Sequence, residues 1–480
     1  MYVCQACGIN LPDGASFCPN CGVKLDPSNM GEAPKPLPPS DTPVVAPDPV
    51  EPEPAAPRKR PRFRLCAAHF LFMIPVLILV GFVGLIIVAL TTEPVTEINP
   101  PVELFHEGLV PVQTGDGNAE PLWGYIDRNG QQVIDAKFDA VSNFGSNGLA
   151  AVCYLGKWGY IDKSGEFVVP AIYEEARNFG KNNYAPVKAN GSWGYIDKSG
   201  ALVINPQFDS AETFAENGLA LVGIGDKYGY INRKGVYVIP PQYDDAESFG
   251  LNGHAAINAF GKWGLIDKNG EYVVNPQFDA IHPFASNGLS LVEKDGMFGY
   301  INRMGIYVMQ PVFEEASSFG ENGLALVKIN GKYGYINEKC EFVIEAKYDK
   351  ALPFSPDNGL AAVCPDQTVG TWGYINYNGA YVIRPAYTVA GSFNSGMAAV
   401  EDEKGVLYIN EKGEEVFRPD ENCLFITHFS KDGYAILAYL SENGENVFTI
   451  INKKGEPITK NRFPMVSYEV LASLLFGEES

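Results

Sequence analysis

Histidine is scarce, with five residues in 480, at His69, His106, His254, His282 and His428. They occupy unrelated positions, and the sequence holds no HExxH, no GxSxG and no glycine-rich loop set between a strand and a helix. The frameworks for metal hydrolysis, acyl transfer and phosphate binding are therefore missing. Carboxylates are plentiful, but no glycosidase pair is legible among them, and the chain is expected not to be an enzyme. Positive charge is also short: 36 Lys and Arg stand against 57 Asp and Glu. Residues 1–64 are balanced, seven against seven, and residues 65–90 carry no charge, so the whole net charge of −21 lies in residues 91–480. A surface that acidic repels phosphate backbones, which argues against nucleic acid as a partner of the large C-terminal part. Closely spaced cysteines are lacking beyond residue 21. Cys66, Cys153, Cys340, Cys364 and Cys423 stand far apart, and the last four read as small buried hydrophobes rather than a disulfide framework.

What is present begins with CQACGINLPDGASFCPNCG, two CxxCG motifs separated by ten residues. Each CxxCG forms a tight knuckle in which two thiolates reach one ion, and two knuckles close a tetrahedral site. Cys4, Cys7, Cys18 and Cys21 are the candidate ligands of one structural Zn2+ ion; a redox dithiol pair is the alternative. Over residues 3–25 the sequence resembles the small zinc ribbon found at the N-terminus of many bacterial membrane proteins. Residues 26–64 form a Pro-rich, acidic stretch expected to be a disordered linker, closed by the basic flank RKRPRFR. Residues 65–90, LCAAHFLFMIPVLILVGFVGLIIVAL, give about 39 Å of helix, enough to span a bilayer with tilt. The basic flank precedes this run and no Lys or Arg follows it for twenty residues. The expected topology is a single-pass bacterial membrane protein with the zinc ribbon cytoplasmic and the remainder extracellular. Reduced thiolates suit the cytoplasmic side.

After a short linker, 91–101, a motif recurs at intervals of 35 residues: Trp123, Trp158, Trp193, Tyr228, Trp263, Phe298 and Tyr333, each followed by glycine. Weaker copies follow at Trp372, at GVLYINEKG (405–413) and at FTIINKKG (448–455), which makes ten. Each copy reads as four short strands. An Asx-x-x-Gly turn, such as Asp162 to Gly165, predicts a three-residue hairpin with a left-handed glycine, and Cys340 replaces that glycine once. Aromatic rows at Phe144 and at Phe138 keep the same interval. A unit this small cannot bury those rings alone, so neighbouring units are expected to share a continuous core. Acidic positions (Asp139, Glu174, Asp209, Asp244, Asp279, Glu314, Asp349) and basic ones (Arg128, Lys163, Lys198, Arg233, Lys268, Arg303) share the period. The acidic row is expected to hold backbone groups and the basic row to lie in solvated turns.

The pattern GKWGYIDKSG…VI…Y…A…F…NGLA.V resembles the WG-repeat (KWG) family of bacterial β-repeat proteins over about residues 102–460. The resemblance implies an all-β array, commonly exported, with no catalytic residues to carry over. An open β-solenoid of antiparallel meanders is the favoured architecture over 102–462, with a closed β-propeller as the alternative, because ten blades are many for one ring. Residues 463–480, with SYEVLASLLF as a short helix, are expected to cap it. The expected function is a membrane-anchored binding or scaffold protein presenting the array to cell-envelope polymers or surface proteins. The alternative is a transmembrane sensor that couples an external ligand to a cytoplasmic protein partner of the zinc ribbon.

Overall fold

The computed structural model describes residues 2–4, 10–11, 30–32, 103–114, 122–440, 446–459 and 463–464. The chain divides into two compact units, Met1–Phe82 and Val83–Ser480. In the first, β1 (Tyr2–Cys4) pairs antiparallel with β2 (Asn10–Leu11) on one side and with β3 (Met30–Glu32) on the other. β3 lies beyond the expected ribbon boundary at residue 25, so this sheet recruits the first residues of the stretch read as linker. The remainder of that linker, the apolar run 65–90 and the helix expected over 467–476 lie outside the described residues. Among the described residues no helix is long and apolar enough to cross a membrane.

The second unit is all β. Its ten small antiparallel sheets, one of three strands and nine of four, are the blades of a propeller, and their number equals the number of sequence copies. The first blade contains β4 (Leu109–Thr114), β5 (Leu122–Asp127) and β6 (Gln132–Phe138). The second shows the full unit: β7 (Ala140–Val141), β8 (Ala150–Tyr154), β9 (Lys157–Ile161) and β10 (Phe167–Tyr173), hydrogen-bonded in that order. Only Asp139 separates β6 from β7. The chain thus finishes pairing with one blade at Phe138, opposite Trp123, and starts pairing with the next at Ala140, opposite Cys153.

The Asx-Gly turn forms as the sequence predicts. Between β9 and β10 the Gly165 N–H donates to the Asp162 carbonyl at 3.0 Å, and the Asp162 side chain accepts the Ser164 and Glu166 N–H groups at 2.9 and 3.2 Å. Gly165 is left-handed, with φ 84°. The glycine after the aromatic has a different job. β10 bulges over β9, with Trp158 opposite Tyr173 but Tyr160 opposite Val169, and the bulged backbone passes directly above Gly159. A Cβ on Gly159 would lie 2.6 Å from the Val169 carbonyl oxygen and from the Ala171 nitrogen, closer than any real side chain comes. The WG dipeptide is therefore the imprint of a backbone crossing.

The expected sharing of core holds at every junction. Ten hydrophobic clusters each take residues from two successive blades. A tyrosine two positions after the repeat aromatic adds a latch in every blade except the fifth, which has Leu265, and the tenth, which has Ile450: Tyr125, Tyr160, Tyr195 and Tyr230 are fully buried. Their hydroxyls donate to the carbonyls of Ser142, Arg177, Glu212 and Glu247 at 2.8, 2.7, 2.8 and 2.6 Å, each acceptor belonging to the next blade. Burial raises the pKa of every one of these phenols, which keeps them protonated as donors.

The open solenoid favoured from sequence is corrected by the seam. One cluster joins Leu104, Phe105, Val110, Val112 and Ile126 of the first blade to Ile436, Phe448, Ile450 and Phe463 of the tenth. The contact between the Gly165 turn and Ile134 of the preceding blade recurs at Gly130, which abuts Ile458 of the tenth blade. The Lys163–Glu107 ion pair between blades two and one, at 2.7 Å, has its counterpart in Arg128–Asp432 between blades one and ten, at 3.6 Å. Asp432 also accepts the Leu104 and Phe105 N–H groups at 2.9 and 3.0 Å. The seam is one more ordinary junction, and the array is a ring. Its last strand, Phe463–Pro464, lies in the stretch expected to be a cap.

Candidate functional site

The four-strand unit puts all turns of one kind at one end of their sheets. At one end lie the Asx-Gly turns and their tips, Arg128, Lys163, Lys198, Arg233, Lys268 and Arg303, all exposed as expected. Beside them, Asn147, Asn182, Asn287 and Asn358 accept the N–H two residues on, and the Nδ2 of each is buried without a hydrogen-bond partner.

At the other end, a two-residue turn joins the second and third strands. The acidic row serves this turn, as expected. Asp139 accepts the Gly156 N–H at 2.9 Å, Glu174 that of Gly191 at 2.9 Å, Asp209 that of Gly225 at 2.7 Å and Asp244 that of Phe260 at 2.8 Å. Asp279, Glu314 and Asp349 repeat the contact with Asp295, Gly331 and Gln367. Three of these carboxylates also pair with lysines, Lys227 with Asp244, Lys262 with Asp279 and Lys332 with Asp349. The lysine contact, followed by the backbone N–H, holds all three carboxyls below the usual range. A carboxylate committed to a turn is not poised to move protons. Among the described residues, no three His, Cys, Asp or Glu side chains converge as a metal site.

This turn also carries residues that the sequence reading passed over. In five blades both of its positions are left-handed, as in a type I′ turn, and the first is Asn190, Asp295 or Asn330 in three of them. In two others it is Leu155, φ 52°, and Phe260, φ 57°. Bulky residues pay about 1–2 kcal/mol for that conformation. Neither recovers the cost by burial, since Leu155 is 79% and Phe260 97% exposed. The signal was in the sequence: LG and FG stand where sister copies have NG or DG.

In the first unit, Cys4 ends β1, and Cys7, Cys18 and Cys21 lie outside the described residues. β1 and β2 pair as a hairpin, with Tyr2 opposite Leu11 and Val3 opposite Asn10, so the residues linking them are the rest of the first CxxCG. Cys4 at the end of a paired strand, together with an all-cysteine donor set, fits a structural zinc site. The scattered cysteines Cys153, Cys340, Cys364 and Cys423 are buried thiols, as expected.

Comparison with known proteins follows this division. A model of the WG containing repeat matches eight consecutive copies, 123–158, 158–193, 193–228, 228–262, 263–297, 298–333, 333–366 and 372–404. The chain belongs to the WG-repeat family. The matches stop at residue 404, before the third strand of the ninth blade; there and in the tenth blade Leu407 and Thr449 stand in place of the crossing glycine. A zinc-ribbon domain matches residues 3–25. No curated protein matches the chain. Among solved structures, the WG-repeat chain is similar to a eukaryotic initiation factor at 13% identity, covering 74% of this chain and 96% of that one, with a TM-score of 0.44. It is also similar to apo AztD from Citrobacter koseri at 9% identity, covering 64% and 93%, with a TM-score of 0.29.

Proposed function

We propose that the WG-repeat ring is a non-catalytic binding scaffold, held at a bacterial membrane and presenting one face to a cell-envelope polymer or surface protein. The observation that carries this reading is the pair Leu155 and Phe260. Strained, solvent-facing apolar residues on a rigid frame are kept for contact with something else, because they lower the stability of the free protein. The periodic carboxylates support a scaffold in a second way, since their hydrogen-bonding capacity goes to holding turns. Residues 65–90 would anchor the chain, with RKRPRFR on the cytoplasmic side. Cys4, Cys7, Cys18 and Cys21 would hold one Zn2+ that shapes the N-terminal ribbon and has no open coordination position.

Co-sedimentation of the full-length chain, in mild detergent, with purified insoluble wall polymer tests the scaffold. Retention that falls several-fold in the Leu155→Asn/Phe260→Asn double variant is expected. A chain that no wall fraction or purified surface protein retains, or one whose retention ignores both substitutions, would refute it. Zinc analysis is expected to return one ion per chain, lost on Cys7→Ser and Cys21→Ser. Labelling of intact cells with an impermeant amine reagent is expected to modify the lysines of the ring.

A further inference from the structure

The fourth strand is the free edge of its sheet. In blades two to six that edge carries no charge: Phe167–Tyr173, Leu202–Phe208, Tyr237–Tyr243, Tyr272–Phe278 and Tyr307–Phe313 hold no Asp, Glu, Lys or Arg. A chain that is 19% charged would place several in strands of that total length. The fold does not impose the gap. Asp135 and Lys137 of the first blade, Glu345 and Lys347 of the seventh and Arg384 of the eighth occupy exposed positions of the equivalent strands. What blades two to six present instead is aromatic and amide. Phe167, Tyr237, Tyr272 and Tyr307 open their strands, exposed or half-buried, and Asn205, Gln242, Asn275, Gln277 and Gln310 stand exposed further along. The hydroxyls of the three tyrosines and the side-chain amides of these five residues make no hydrogen bond to any described residue.

Successive edges run into one another. The ring that ends one strand stands edge-on against the aromatic that opens the next, Phe138 against Phe167 and Phe208 against Tyr237 at 6.2 Å, and Phe278 against Tyr307 at 5.8 Å. The edges thus form a belt with the same chemistry at each period. An acidic ring with no cation on the belt repels polyanions, and the carboxylates that follow each strand are engaged in the turns described above. A peptide cannot extend the sheet, because each edge is bulged and carries a proline, Pro170, Pro206, Pro241, Pro276 or Pro311. Aromatic faces attract polarised C–H groups, and free amides both donate to hydroxyls and accept from them. A set repeated at every blade suits a ligand that is itself a repeat. We infer that the fourth strands of blades two to six bind an uncharged polysaccharide chain laid along the ring, with sugar faces on Tyr237 and Tyr272 and hydroxyls on Gln242 and Gln277. The belt uses residues other than Leu155 and Phe260, so it goes beyond the scaffold reading.

Calorimetric titration of the full-length chain, in a polyoxyethylene detergent that has no sugar headgroup, tests it. The probes are the hexasaccharides and disaccharides of cellulose, β-1,3-glucan and chitin (uncharged), of polygalacturonate (anionic) and of chitosan (cationic). At least one uncharged hexasaccharide is expected to bind about tenfold more tightly than its disaccharide, because a longer chain reaches further along the belt. Tyr237→Leu/Tyr272→Leu copies Leu202 of the third blade and is expected to weaken that binding about tenfold. Gln242→Ala/Gln277→Ala copies Ala386 of the eighth blade and is expected to weaken it about fivefold. Both variants introduce residues that the fold already accepts at those positions, and an unchanged melting temperature checks this. Preference for a charged hexasaccharide would overturn the inference, as would no binding of any uncharged one, no gain with length, or an affinity that either variant leaves unmoved. Wall retention without hexasaccharide binding would sink the belt and leave the scaffold standing. Hexasaccharide binding by a chain that no wall fraction retains would do the reverse.

Discussion

The glycine after each repeat aromatic is fixed by distance. At Gly194 a Cβ would fall 2.5 Å from the Ile204 carbonyl oxygen and 2.6 Å from the Pro206 nitrogen. Both are backbone atoms that cannot swing aside. Gly194→Ala is expected to destabilise the third blade by about 1–3 kcal/mol, read as a lower melting temperature and faster amide exchange in residues 192–208. Cys340 shows the opposite outcome at the turn glycine. It is left-handed, with φ 60°, and buried, and it shares a cluster with Met309. In the neighbouring blades the turn glycines Gly305 and Gly379 face branched side chains, Val274 and Ile344. An unbranched methionine yields where isoleucine would not. Burial raises the Cys340 thiol to about 11, which leaves it unreactive at neutral pH. The two exposed turn residues should respond in the other direction. Phe260→Asn is expected to raise stability by about 1 kcal/mol, because asparagine accepts the left-handed conformation, while weakening capture by wall polymer. A variant no more stable than the parent would remove the strain argument.

Between elements, the main joint is the tyrosine latch. Tyr195→Phe would leave the Glu212 carbonyl without its 2.8 Å donor and is expected to cost about 1–3 kcal/mol. Hydrogen exchange should localise the loss to the junction of blades three and four. Two histidines make other junctions sensitive to acid. The Nδ1 atoms of His254 and His428 are buried without hydrogen-bond partners, and a Cβ on Gly391 of the ninth blade would lie 2.3 Å from His428 Cε1. Desolvation lowers both pKa values; at His254 Arg303 adds to it and Asp267 opposes it. The unfolded chain therefore binds these protons at a higher pH than the folded one. Their contribution is present above pH about 6.5 and is lost as pH falls toward the lowered folded values. Thermal melts at pH 7.5 and pH 5 are expected to differ less for His254→Gln/His428→Gln than for the parent. Much of this element scale was legible beforehand: the ten copies, the Asx-Gly hairpins and the shared core all follow from spacing and turn chemistry. The long bulge over the WG glycine was not, because a repeated glycine announces a close approach without saying what approaches.

For the whole molecule, the decisive fact is that blade ten meets blade one through a shared apolar cluster, as every other pair of neighbours does, although Ile450 leaves this junction without the tyrosine latch. Sequence could count the units but not the angle between them, which is set by how side chains such as Ile134 and Phe144 seat against the next sheet. The last two copies, which have lost the crossing glycine to Leu407 and Thr449, were still countable from their Asn-x-x-Gly turns. Asp432→Ala is expected to loosen the seam first, with residues 103–114 and 434–440 exchanging before any other blade. Uniform exchange around the ring would mean that Asp432 does not hold the seam.

The single residue between β6 and β7 has a consequence for how such a protein can change. From the first blade to the eighth, each ends one residue before its neighbour begins, so the period runs without a linker and a recombination breakpoint can fall anywhere in its 35 residues provided whole periods are gained or lost. A circle already closed gives that freedom a limit: one extra copy leaves Asp432 facing a newcomer instead of Leu104, and the gene must then either respace all its members or abandon closure.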